Sequence, residues 1–196
     1  MTVQIAPTRR SGNETRVRIE TEALRLFAAK GVDGTSIKDI ANAVGVADAA
    51  LYRHFKSKDA IATTLFRDHY AALAREIHRI GQAEAAFSIM VRQLVDLFCT
   101  LFDQNPDAFR FILLNQHGQL SMIAPDENAV SRLRDLMERA RLRGEIWMED
   151  ADLAAAIALG AVVQPATFKL YGRIPGGLSH YAVTIADAIC RALTAP

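Results

Sequence analysis

The chain has 196 residues, 51% of them hydrophobic, with two cysteines and a net charge of +1. This length suits one sizeable core, or a small domain carried on a larger one. The two cysteines, Cys99 and Cys190, have no close-spaced partner, which excludes metal and redox motifs built on paired cysteines and points to buried thiols in a reducing cytoplasm. Overall charge says nothing about nucleic acid, but its distribution does: residues 1–58 hold ten Lys/Arg against six Asp/Glu, and residues 59–196 hold thirteen against sixteen. The positive field therefore sits on the N-terminal segment.

Residues 1–12 contain Pro7, Arg9, Arg10 and Gly12 without an apolar period, and read as a flexible basic tail. Such a tail either reaches a minor groove or a phosphate, as basic arms do, or only aids solubility. Asn13 is a candidate N-cap for a first helix, 13–30, with Ile19, Ala23, Leu26 and Phe27 as its buried stripe and Gly31 at its end. Residues 35–58 follow as a helix-turn-helix. Thr35 is the expected N-cap, Ile37, Ile40, Ala41 and Val44 give one apolar face, Gly45 stops the helix and Val46 plugs the turn. A short second helix starts at about Ala47. Leu51 and Phe55 hold it to the core, leaving Asp48, Ala49, Tyr52 and His54 outward.

A short helix held out by a partner helix fits the major groove, with its first turn at base edges. Small residues at Ala47, Ala49 and Ala50 allow close approach, and Tyr52, His54 and Lys58 can donate to phosphates. Thr35, Lys38 and Arg53 complete the expected DNA-facing set. The same spacing also suits one more helix pair of an all-α core.

Ser57 caps a fourth helix that runs to about Ile80, long enough to leave the small domain and enter a second one. Further amphipathic helices are predicted over 83–102, 108–116, 127–143 with Asp126 as cap, 151–171 with Asp150 as cap, and from about Ser179 to Arg191. The helix over 151–171 is apolar on nearly all sides and must be buried on nearly all sides, by its own core or by a second subunit. No apolar leader stands in Met1–Gly12. The longest apolar run, Ala151 to Val163, is shorter than the roughly 20 residues that cross a bilayer. The expectation is a soluble, cytoplasmic chain with no membrane partner.

Thr15-Arg16, Ile19, Ala23, Leu26-Phe27, Lys30-Gly31, Gly34-Thr35, Ile40-Ala41, Gly45-Val46, Leu51-Tyr52, His54-Phe55 and Lys58 stand in the order and spacing of the N-terminal domain of TetR/AcrR-type transcriptional regulators. The chain resembles that family over about residues 13–61, most specifically in the run 51–58. The resemblance implies an all-α fold: a three-helix helix-turn-helix DNA-binding domain, 13–58, and a larger helical ligand-binding and dimerisation domain, 59–196. It implies a homodimer through the two C-terminal helices on a double-stranded, palindromic operator. It also implies repression relieved by a small apolar or amphipathic effector. Ala47 departs from the family, which has Ser or Thr there. The lost capping oxygen is worth about 1 kcal/mol, and Asp48 is left either to cap the helix or to accept from a cytosine N4.

Candidate pocket residues in the larger domain are Phe98, Phe102, Phe109, Asn115, His117, Met137, Trp147, Gln164, Phe168 and Tyr171, although core packing explains each phenylalanine as well. Gln164 precedes Pro165, where a kink frees backbone carbonyls, so a buried amide there needs a ligand or a dimer contact as partner. The five histidines show no metal-ligand spacing, and neither a nucleophile elbow nor a phosphate-cradling loop is present. No catalytic residue, metal or cofactor is expected. The alternative is a DNA-binding architectural or partner-recruiting protein whose C-terminal domain binds another protein and no small ligand.

Overall fold

The computed structural model describes residues 9–83, 85–119, 123–124 and 128–194, with the side chains of 9–12 and 114–119 outside that description. Among the described residues the chain is helical and has no strand. Helix α1 spans Arg9–Lys30, α2 Ile37–Val44, α3 Asp48–Tyr52, α4 Lys58–Gly81, α5 Phe87–Gln104, α6 Pro106–Gln119, α7 Ala129–Leu142, α8 Ala151–Leu170 and α9 Ala182–Leu193. A short 3-10 turn, Leu178–Tyr181, precedes α9.

Helix α1 begins four residues before the expected cap, so Arg9 to Gly12 are helical and Asn13 lies inside the helix. The chain before Arg9 lies outside the described residues. Helix α7 is capped by Asn128, whose side-chain oxygen accepts from the N–H groups of Val130 and Ser131. The expected cap, Asp126, lies outside the described residues. Ser57 and Asp150 cap α4 and α8 as expected, because each oxygen meets an orphan N–H of its first turn.

One continuous apolar core runs from Ile19 on α1 to Leu193 on α9. Helix α1 packs on α2, α4 and α6; α4 packs on α7; α5 packs on α9; and α8 packs on α7 and α9. The crossing of α4 and α7 requires Gly81, where a Cβ would lie 2.3 Å from the Leu136 side chain. Phe27 of α1 stacks on Phe111 of α6, with centroids 5.8 Å apart and both rings buried.

Helix α8 reaches Leu170, past the apolar run read from the sequence. By length and composition it is apolar enough to cross a membrane. Here one face of it packs on α7 and α9, while Leu153, Phe168 and Tyr171 stay exposed. Burial on nearly all sides is therefore not met within one protomer.

Asp103, at the end of α5, fastens the turn before α9. Its carboxylate accepts from Leu178 N–H at 2.7 Å, Ser179 N–H at 2.9 Å and the Ser179 hydroxyl at 2.7 Å. Burial pushes this carboxyl up, but the bonds from Ser179 and Leu178 outweigh it and hold the group below its ordinary value near 3.8. A carboxyl depressed in the folded state stabilises above its unfolded pKa, and that contribution is lost as pH falls through the folded value. Asp103→Ala is expected to lower stability by about 1 kcal/mol at neutral pH and by progressively less on acidification below about pH 4. Thermal melts of both proteins across pH 3–7 check this.

Candidate nucleic-acid interface

The interface is built on α2, its turn and α3. Ser36, and not Thr35, caps α2. Its hydroxyl accepts from Asp39 N–H at 3.1 Å, and the Asp39 carboxylate accepts from Ser36 N–H at 2.8 Å. These bonds from the Ser36 backbone and side chain also hold the Asp39 carboxyl below its ordinary range. Thr35 is only 2% exposed, with its hydroxyl turned inward to the Gly31 carbonyl at 2.8 Å. A buried hydroxyl needs a partner, and the loop carbonyl supplies it, so this side chain neither caps α2 nor faces outward.

Gly45 takes a left-handed backbone at φ 74° and closes α2. Its N–H donates to Asn42 and the Val46 N–H donates to Ala41, the paired bonds of a Schellman stop. This turn aims α3 away from α2. Leu51 and Phe55 are buried, at 1% and 6% exposure, and anchor α3 from below. The rest of the short helix faces solvent: Ala47, Asp48, Ala49, Tyr52 and Arg53 are exposed, and Ala50, His54 and Lys58 are half-buried. Lys38 is exposed on α2 beside them. Ala47 gives α3 no side-chain cap. Asp48 sits in the first turn, where the positive end of the helix favours an acid.

Among the described residues some cations meet a carboxylate and others, Arg75, Arg110, Arg139, Arg173 and Arg191 included, take part in no ion pair. Arg25, Arg67, Arg79, Arg92, Arg134, Arg141 and Arg143 each pair with a carboxylate. Among the described residues no ion pair involves Lys38, Arg53, Lys56 or Lys58. These four cations lie on or next to the helix-turn-helix with no ion-pair partner among the described residues, which leaves them available to phosphates. Lys56, adjoining this set, was outside the residues singled out from the sequence; its position between His54 and Lys58 was the available signal.

Residues 19–65 match the family model for bacterial regulatory proteins of the tetR family. Residues 19–65 are a tetR-family N-terminal domain. The chain is 28% identical over 169 residues to the nucleoid occlusion factor SlmA of Marinomonas sp. (strain MWYL1), covering 86% of this chain and 83% of that protein. It is similar in structure to the tetR-family transcriptional regulator PfmR of Thermus thermophilus, with 25% identity, a TM-score of 0.75, and coverage of 89% and 97% of the two chains. It also shares the fold of the transcriptional regulator FadR of Bacillus subtilis, determined in complex with stearoyl-CoA. There the identity is 16%, the TM-score 0.71, and the coverage again 89% and 97%.

In the larger part of the chain, the eight candidate pocket residues with described side chains lie in different settings. Phe98 and Phe102 both meet the Phe109 ring edge-on, at 4.4 and 5.5 Å, in a buried aromatic cluster. Met137 is fully buried. Trp147 is 58% exposed and donates its indole N–H to the Ala192 carbonyl. Gln164, expected as a buried amide, is exposed, because the α8 face that carries it meets no other helix of the protomer. Phe168 and Tyr171 share that exposed face, and the side chains of Asn115 and His117 lie outside the described residues. A surface cavity of about 510 Å³ opens elsewhere, between the end of α4 and α5, lined by residues that include Arg79, Gln93, Asp96, Leu97 and Thr100. None of the eight candidates whose side chains are described lines it.

The uncapped start of α3 generates a stability prediction. Ala47→Ser supplies the missing oxygen and is expected to stabilise the fold by about 1 kcal/mol, read as a raised midpoint in urea unfolding. An unchanged midpoint would mean that α3 is already held by contacts outside its own first turn.

Proposed function

We propose that this chain is a homodimeric transcriptional repressor that binds a palindromic operator and is released by a small apolar or amphipathic ligand. The observation that carries the reading is the exposed face of α3, with Lys38, Arg53, Lys56 and Lys58 unpaired around it. Base edges are read by Ala47, Asp48, Ala49 and Ala50, and phosphates are held by Lys38, Tyr52, Arg53, His54 and Lys58. One such helix reads too few base pairs for useful specificity, so a two-fold dimer is required.

The exposed stripe of α8 supports that dimer. Leu153, Ala156, Gly160, Gln164, Phe168 and Tyr171 recur at helical spacing along one exposed face. A second copy covers this face, and Gly160 at its middle lets two backbones approach closely. The ligand class rests on the shared fold with FadR of Bacillus subtilis, so long-chain acyl thioesters are the first compounds to try. A second reading, a DNA-bound protein that recruits a protein partner, is favoured by the likeness to the nucleoid occlusion factor SlmA.

Selection of binding sites from random duplex DNA by the purified protein tests the function. A two-fold symmetric enriched site is expected, and salt-sensitive binding without enrichment would favour the recruiting reading. On the enriched site, Lys58→Ala is expected to weaken binding to all sequences and to reduce the salt slope by about one. Phe168→Glu is expected to convert the dimer to monomers in sedimentation; a chain that stays dimeric would place the interface elsewhere.

A further inference from the structure

Helix α3 is too short to hold itself in place. Its five residues make little more than one turn, which does not recover the cost of starting a helix, and its cap position lacks a side-chain bond. Leu51 and Phe55 bury it from one side. The ends of the unit that carries it are held from α1. Arg18 donates its guanidinium to the Val44 carbonyl, at the last residue of α2, one of the orphan acceptors at the negative end of that helix. Arg16 lies over the Phe55 ring, 4.7 Å from its centroid, and is itself oriented by a 2.9 Å bond from its Nε to Glu20. Residues two apart on a helix point to different sides, so the two arginines diverge and reach different elements. Val44 and Phe55 bracket the turn and all of α3.

We infer that Arg16 and Arg18 are positioning residues, a two-point clamp from α1 that fixes α3 for base reading. The inference rests on the DNA-reading role proposed above. Base contacts are geometrically demanding, whereas phosphate attraction is not, so the clamp acts on sequence discrimination. Arg18 keeps its full charge, but its guanidinium is engaged by the Val44 carbonyl, and Arg16 is paired with Glu20.

The test compares wild type, Arg16→Met, Arg18→Met and Arg18→Lys, the last keeping a donor and the charge. The full-length proteins are titrated with the duplex enriched by selection and with a random duplex of equal length, across a salt series. Hydrogen exchange is followed over residues 45–54. Both methionine variants are expected to bind the enriched duplex about tenfold more weakly, to change on random duplex by less than about twofold, to keep the wild-type salt slope, and to exchange faster over 45–54. Arg18→Lys recovers discrimination and protection. A salt slope reduced by about one, with both duplexes weakened alike, would make the arginines phosphate contacts and overturn the clamp. Unchanged exchange over 45–54 would overturn it equally. A wild-type chain that enriches no site overturns the operator reading alone, and exchange then decides the clamp by itself.

Discussion

The stack of Phe27 on Phe111 joins the DNA-reading part of this molecule to the rest. Helices α2 and α3 are too short to stand alone and depend on α1 for their buried faces. Helix α1 in turn is held by α6 through this ring pair and by the first half of α4. Both rings are fully buried, so neither helix can shift without opening apolar surface to water. The consequence is one continuous core and not two cores joined by a linker. The orientation of the reading helix is thereby inherited from the body of the protein.

Paired and unpaired cations occur on both parts of the surface. Beyond the helix-turn-helix, Arg67, Arg79, Arg92, Arg134, Arg141 and Arg143 sit beside carboxylates, where exposed pairs contribute little stability, while Arg75, Arg110, Arg139, Arg173 and Arg191 are in no ion pair among the described residues. Around α3 the cations stand without ion-pair partners among the described residues. The excess of four positive charges over residues 1–58 is modest, and screening by salt confines it to short range. An acid at Asp48 fits the same surface, since the positive end of α3 offsets it.

The larger part shows where residue type misleads. Aromatic and polar residues on apolar helices suggested a pocket, yet three of the phenylalanines close on one another as core, and Phe168, Tyr171 and Gln164 lie on the open face of α8. A period of hydrophobic residues reports that a helix has a buried face. It does not report which neighbour buries it, and for α8 the apolar residues run all the way round. The cap of α2 shows the same limit on a smaller scale. Thr35 and Ser36 are equivalent hydroxyls in sequence, and only the close return of the chain to Gly31 sends one inward and leaves the other to cap.

The sequence by itself determined the helical class, the order of the helices, the stop at Gly45, the anchors Leu51 and Phe55 and the tetR-family domain over residues 19–65. Each of these follows from short-range chemistry: apolar spacing, a glycine where the backbone must turn left-handed, and a motif confined to neighbouring residues. Tertiary structure alone decided that α1 grips both ends of the reading unit, that Asp103 fastens the turn before α9, and that α8 keeps an apolar face open. Those depend on residues 26, 39 and 75 positions apart meeting in space, and no local pattern records which distant group a charge or a ring will find.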